Sequence, residues 1–160
     1  MKKLMFNDIY GLTEAVLNGH KTMTRRFMEK KPRFSIGEVV AIAQSYSSIK
    51  DDSLLSLIET PGWTNKMFVK SELMPHQIRI TGIKIEQLQD ISDEDCLKEG
   101  LEWDGKAQKY YVGYGKEKGN KIWLNNSPRE SFANLIDKVS GKGTWNGNPL
   151  VHCYSFELLK

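Results

Sequence analysis

Apolar and polar positions along the chain fall into a few periodic segments separated by Gly, Asn and Pro. Residues 8 to 18 bring Ile9, Leu12, Val16 and Leu17 near one helical face; Asn7 or Asp8 can cap this helix and Gly19 stops it. Gly11 weakens it slightly. The run Val39-Val40-Ala41-Ile42-Ala43 is short and apolar on both faces, which predicts a buried strand. A second strand is predicted over residues 77 to 88, with Ile78 and Ile80 on one phase and Ile83 and Ile85 on the other. The slip at Gly82 predicts a bulge or sharp bend, the device by which small barrels turn corners.

Ser92 starts another helix, with Asp95 placed to close a capping box and Ile91 and Cys96 spaced as a hydrophobic staple; Gly100 ends it. The clearest helix start is Ser127-Pro128-Arg129-Glu130, followed by Phe132, Leu135, Ile136 and Val139 on one face and a stop at Gly141. Leu150, His152, Tyr154, Phe156 and Leu158 alternate with a more polar set and predict a final strand. Residues 47–66 lack pattern and read as an insertion with one short helix around Leu54 to Ile58. Residues 102–126, rich in Lys, Gly, Tyr and Asn, read as an exposed, mobile excursion. The sum is one mixed α+β domain over residues 1–160, with short strands and about three helices. Neither a Gly-x-Gly-x-x-Gly nor a P-loop pattern occurs.

Composition narrows the class. The chain has 160 residues, 39% hydrophobic and 27% charged, an ordinary globular balance. Its longest apolar runs fall well short of the roughly 18 residues that span a bilayer, and no signal-peptide core follows Met1. We therefore expect a cytoplasmic protein without a membrane partner. Cys96 and Cys153 are scattered, as are His20, His76 and His152, which argues against a metal site or a disulfide framework and predicts buried free thiols. No cofactor is expected. The net charge is +3, but His20 to Arg33 carries six cations and one anion, so this window holds +5 and the remainder −2. The positive field is local, as a site for phosphate requires.

Three groups of residues can carry chemistry. Lys21, Thr22, Thr24, Arg25 and Arg26 offer charge, planar bidentate donors and hydroxyls that bind an anion or act as nucleophiles; a solvated basic turn would explain the same run. If this stretch is extended, Thr22, Thr24 and Arg26 share one face and Met23 and Arg25 the other. Glu99 stands in the last helical turn with Asp95 at i−4, each relation costing about 0.3–1 kcal/mol. That placement makes sense if Glu99 faces Lys21 or Arg25 across a cleft, although a wet surface also tolerates it. In the turn-rich segment 141–149, Trp145 can stack on a base and Asn146 or Asn148 can read a base edge, or Trp145 can simply pack as a lid. The outer cations Lys30, Lys31 and Arg33 read as general attraction.

Together these residues resemble the ASCH family, whose fold is related to the PUA domain. Gly19-His20-Lys21-Thr22-Met23-Thr24-Arg25-Arg26 resembles its Gly-x-Lys-Thr-x-Thr-x-Arg signature after the first helix. Phe34 to Val40 resembles the family's Gly-Asp/Glu lead into a strand, and Leu88 to Gly100 the segment ending in its Glu-Gly step. Phe132 to Phe156, with Gly143, Trp145, Asn148-Pro149 and Tyr154-Ser155-Phe156, is similar to the closing section of a longer branch common in phages and prophages. The resemblance implies a small PUA-like β-barrel with flanking helices and a cleft for a nucleoside, nucleotide or single-stranded RNA, and no metal. A shorter branch hydrolyses N4-acetylcytidine with a Lys, a Thr and a Glu, which fall here on Lys21, Thr24 and Glu99. By that analogy Thr24 attacks the amide carbonyl, Lys21 moves the proton and Glu99 orients or donates. Thr22, Arg25, Arg26, Trp145 and Asn148 are the expected ligand contacts. His20 and the insertions 47–66 and 102–126 depart from that branch. The resemblance thus leaves three further readings beside a binding cleft: an amidohydrolase, a ribonuclease, or a non-catalytic reader of modified bases.

Overall fold

The computed structural model describes residues 1–113 and 121–160. Its centre is a five-stranded mixed sheet in the order β1-β3-β4-β8-β2: β1 (Lys3–Leu4), β2 (Met23–Phe27), β3 (Val39–Ile42), β4 (Gln77–Gln87) and β8 (Leu150–Leu158). β1 runs parallel to β3 and every other pairing is antiparallel. β1 and β2 are the outer members, and no pairing joins them into a closed barrel among the described residues. The register of β4 against β8 shifts between Ile80 and Gly82, the bulge anticipated from the change of phase.

β3 explains why Val39 to Ala43 is apolar on both faces. Val40 and Ile42 enter the main core with Leu4, Ile78, Ile80, Phe132 and Phe156. Ala41 and Ala43 face a second, smaller core with Tyr46, Leu54, Val69 and Met74. The second core belongs to the insertion, which is a chain of five short 3-10 turns between Tyr46 and Leu73 where a single helix was expected. Small side chains on β3 let these turns approach closely, and the Tyr46 hydroxyl accepts the Lys70 amide at 2.9 Å.

Four helical segments flank the sheet: α1 (Leu12–Leu17), α2 (Asp93–Lys98), α3 (Pro128–Ser140) and the single turn α4 (Thr144–Gly147). α1 begins four residues later than its periodicity suggests. Gly11 takes a left-handed conformation before it, so Ile9 falls in the preceding turn and is exposed. The Ser92 hydroxyl caps α2 by accepting the Asp95 amide at 3.1 Å. The other half of the capping box is not made, because the Asp95 carboxylate turns to Arg25 and Lys84. α3 is capped by Ser127 and buries Phe132, Leu135 and Ile136.

The segment after α2, expected to be an exposed, mobile loop excursion, holds regular structure. A three-stranded sheet is formed here by β5 (Glu102–Asp104), β6 (Lys109–Val112) and β7 (Ile122–Trp123). Cross-strand aromatic pairs hold it, Trp103 against Tyr110 at 4.9 Å and Tyr111 against Trp123 at 5.8 Å. The part of the excursion between 114 and 120 lies outside the described residues. β8 differs too: Val151 and Cys153 are as buried as His152 and Tyr154, because the strand lies inside the sheet with both faces covered. Among the described residues no helix is long and apolar enough to cross a membrane.

Candidate functional site

The basic stretch runs from the end of α1 into β2 and meets the C-terminal end of α2. The Thr22 amide donates to Lys98 O at 2.8 Å, and the Lys21 ammonium donates to Glu99 O at 2.8 Å. Carbonyls left open at the helix end are thereby satisfied. The same ammonium reaches Met23 O at 2.8 Å and Glu99 Oε1 at 3.0 Å, so all three of its protons are placed. Gly100 follows with a φ of +117°, a conformation that residues with a side chain rarely adopt, so a glycine forms the turn beside Lys21.

Glu99 is shared. Oε1 faces Lys21, and Oε2 accepts from Arg25 Nη1 at 3.0 Å. Arg25 also holds Glu86 Oε1 through Nη2 at 2.6 Å and Asp95 Oδ2 at 3.0 Å, with its side chain wholly buried. Burial works against this guanidinium's charge, but Glu99 and the hydrogen bond to Glu86 outweigh it and hold its pKa above the ordinary value. Arg25 borders the cavity, yet its donors are spent on three carboxylates; it clamps α2 to the sheet. Lys84 adds a further contact to Asp95 at 3.0 Å.

On the opposite face of β2, Thr24 and Arg26 stand side by side, as an extended chain requires. Arg26 Nε donates to Thr24 Oγ1 at 3.0 Å and Nη2 to Met5 O at 2.8 Å. Among the described residues no carboxylate pairs with Arg26, and the Thr24 hydroxyl proton has no acceptor. Both cations lie over the Phe6 ring, Arg26 Cζ at 5.5 Å and Lys21 Nζ at 5.9 Å from its centre.

These groups open on a cavity of about 100 Å³ lined by Phe6, Lys21, Thr24, Arg26 and Glu99, with Phe132, Leu135, Ile136 and Val139 of α3 as an apolar wall. Its size admits the edge of a base or a small acyl group, with the rest of a ligand outside, since pockets enclosing whole small molecules run to about 300 Å³ and more. Burial pushes the Lys21 pKa below its ordinary value, against the attraction of Glu99. Burial likewise lowers that of Arg26.

The structure therefore brings together Lys21, Thr24, Arg25, Arg26 and Glu99 and leaves the other expected contacts elsewhere. Thr22 is absent from the lining, its backbone being taken up by Lys98 and Phe156. Trp145 packs edge-on against Phe132 at 6.2 Å, with Arg129 over its ring at 5.4 Å. Asn148 Oδ1 accepts the Gln89 amide at 2.8 Å. Periodicity missed Phe6, whose ring serves two cations, and the α3 face that doubles as core and cavity wall. Cys96 and Cys153 are free, buried thiols pushed up to about 12 by burial. The carboxylates that converge here, Glu86, Asp95 and Glu99, are bridged by Arg25, and no cluster among the described residues is placed to hold a metal ion.

No family model and no curated protein matches the sequence. Among solved structures, protein EF3133 from Enterococcus faecalis V583, assigned to family model DUF984, aligns over 99% of this chain and 80% of its own at a TM-score of 0.48 and 17% identity.

Proposed function

We propose that this protein is an ASCH-type domain, its bulged sheet a PUA-like barrel variant, and that the Lys21–Glu99 cavity binds the base of a nucleoside, nucleotide or single-stranded RNA. The observation that carries this reading is the composition of the cavity: a buried lysine–glutamate pair, with an arginine that has no carboxylate partner and a hydroxyl proton that has no acceptor among the described residues, all beside an aromatic ring and an aliphatic wall. A base needs this combination, with donors and an acceptor for its edge and apolar surface for its faces.

A second reading, amide hydrolysis of an N4-acylated cytidine, is favoured by Lys21 and Thr24. Burial favours the neutral amine of Lys21, the form that can accept a proton, and the Thr24 hydroxyl has one to give. Thr24 Oγ would attack the acyl carbonyl while Lys21 takes its proton. Collapse would return that proton to the departing cytosine amine and leave an acyl-threonine ester, which water then cleaves. Lys21 must first leave one of its three present acceptors.

Titration calorimetry with cytidine and N4-acetylcytidine, alongside chromatographic assay of cytidine release, tests both readings. Binding weakened at least tenfold in Arg26→Gln, with no turnover by wild type, supports the binding module. Turnover lost in Thr24→Val supports hydrolysis. Failure of wild type to bind any nucleoside, nucleotide or short RNA sinks the reading.

A further inference from the structure

A second cavity, of about 240 Å³, lies beside the first, and Arg26 lines both. Its floor follows from strand register. Arg26 on β2 faces His152 on β8, and the neighbouring pair Thr24 and Tyr154 continues the row. Leu4, Phe27 and Phe34 line it with apolar surface, and Glu29 and Arg33 complete it.

The hydrogen bonds decide what such a cavity suits. His152 is 2% exposed, and its Nδ1 accepts the Glu29 amide at 3.4 Å. The neutral ring therefore carries its proton on Nε2, which has no partner among the described residues. Tyr154, also 2% exposed, accepts the Arg33 amide at 2.8 Å and keeps its own phenolic proton undonated. Arg26 uses Nε and Nη2 within the protein and leaves Nη1 free. Arg33 Nη2 holds Glu29 Oε1 at 2.7 Å, so the one carboxylate on this cavity is already neutralised. The result is four donor groups. Arg26 brings a positive charge with no carboxylate partner among the described residues, Arg33 a guanidinium that shares its charge with Glu29, and His152 and Tyr154 uncharged protons. The donors thus outnumber the one remaining carboxylate oxygen, Glu29 Oε2.

From this set of donors we propose that the second cavity is a subsite for a phosphate monoester, the terminal phosphate of a nucleotide whose base enters the Lys21–Glu99 cavity. The inference rests on the base-binding reading for its ligand class. Guanidinium groups pair with phosphate oxygens in charge-assisted bonds, and Nε2–H and a phenol add uncharged donors. A monoester presents three non-bridging oxygens to four donor groups, a better match than the two of an internal diester. Arg26, standing on both cavities, joins the two halves of the ligand.

The test uses the whole protein and three probes. Inorganic phosphate is titrated by phosphorus NMR against wild type, Arg33→Gln and His152→Phe; cytidine and cytidine 5′-monophosphate are titrated by calorimetry. Wild type is expected to bind phosphate, and each variant to bind it at least fivefold more weakly. The monophosphate should bind wild type at least tenfold tighter than cytidine, with that ratio falling toward one in the variants and cytidine affinity unchanged. Arg33 is exposed, so Arg33→Gln remains informative if His152→Phe does not fold. Absence of phosphate binding by wild type overturns the subsite. Cytidine that binds no more weakly than its monophosphate also overturns it and leaves the base reading standing. Phosphate binding that the variants lose, with no binding of cytidine, keeps the subsite and removes the base reading. A short RNA with a 5′-hydroxyl that depends on His152 and Arg33 as strongly as the monophosphate overturns the monoester assignment in favour of a diester.

Discussion

The ammonium of Lys21 lies 2.8 Å from the main-chain oxygen of Glu99 and 3.0 Å from its carboxylate, so one cation both caps helix α2 and neutralises the acid at its end. A glutamate in that position opposes the helix dipole, and the arrangement stands because a buried positive charge sits on the same spot. Arg25 repeats the device one turn back by bridging Asp95 and Glu99, which would otherwise repel each other at i and i+4.

Removing Lys21 alone should therefore cost more than removing the pair. Lys21→Met leaves Glu99 buried with only Arg25 for company, and breaking a buried pair in this way costs about 3–5 kcal/mol. The double variant Lys21→Met/Glu99→Gln should recover part of that loss. Urea denaturation of wild type, both single variants and the double variant gives the coupling, expected at about 1–3 kcal/mol. Additive losses would show that the two side chains do not act as a unit.

Arg25 is expected to matter to the fold before it matters to any ligand. Its side chain has no exposed surface and three carboxylates around it. Arg25→Leu should lower the urea midpoint by at least as much as Lys21→Met. Arg25→Lys should restore little, since an ammonium cannot hold Glu86, Asp95 and Glu99 with one planar fork. Near-wild-type stability in Arg25→Lys would mean that charge alone suffices.

How much of this was legible beforehand depends on whether a residue's role is local. Glu99 announced itself by an unfavourable position that either a facing cation or a wet surface would explain, and the structure supplies the cation. Val39 to Ala43 announced a doubly covered strand, and Gly82 a bulge. The insertion after β3 was opaque because its short 3-10 turns carry no helical or strand period, and its small core gathers single residues spaced along it, Tyr46, Leu54, Val69 and Met74, against Ala41 and Ala43. The β5–β7 sheet was hidden by surrounding Lys, Gly and Asn, although its Trp and Tyr residues are strand formers that pair across it. His152 read as one more inward position on an alternating strand; its place opposite Arg26 follows from register, which periodicity does not encode.

Acid should loosen the same cluster. Burial alone would raise the Asp95 pKa, but Lys84 and Arg25 hold it below the ordinary 3.8. A carboxylate so depressed contributes stability above pH 3.8, and that contribution is lost as pH falls through its folded value. Asp95→Asn should therefore be less stable than wild type at neutral pH, with the two curves converging as pH drops below 3.8. Urea midpoints measured from pH 7 to pH 2.5 check this, and a constant gap between the curves would remove Asp95 from the account.

Gly100 offers the sharpest link between backbone and site. Its φ of +117° is one that residues with a side chain rarely adopt, and its missing Cβ faces Leu12 at 3.5 Å, Lys21 at 3.6 Å and Ala15 at 3.7 Å. Those distances are ordinary contacts, so an alanine would fit in space and fail on conformation. Gly100→Ala should cost about 1–3 kcal/mol, the range for a residue held in a sparsely populated region. The chain can relieve that strain by turning the peptide that follows Glu99, which moves the carbonyl and carboxylate away from Lys21. Ligand affinity at the Lys21–Glu99 cavity should then fall together with stability, while phosphate binding at the His152 cavity is retained. Calorimetry with both probes on Gly100→Ala decides it. Loss of stability with unchanged affinity at the first cavity would show that the turn supports the fold without setting the geometry of the Lys21–Glu99 pair.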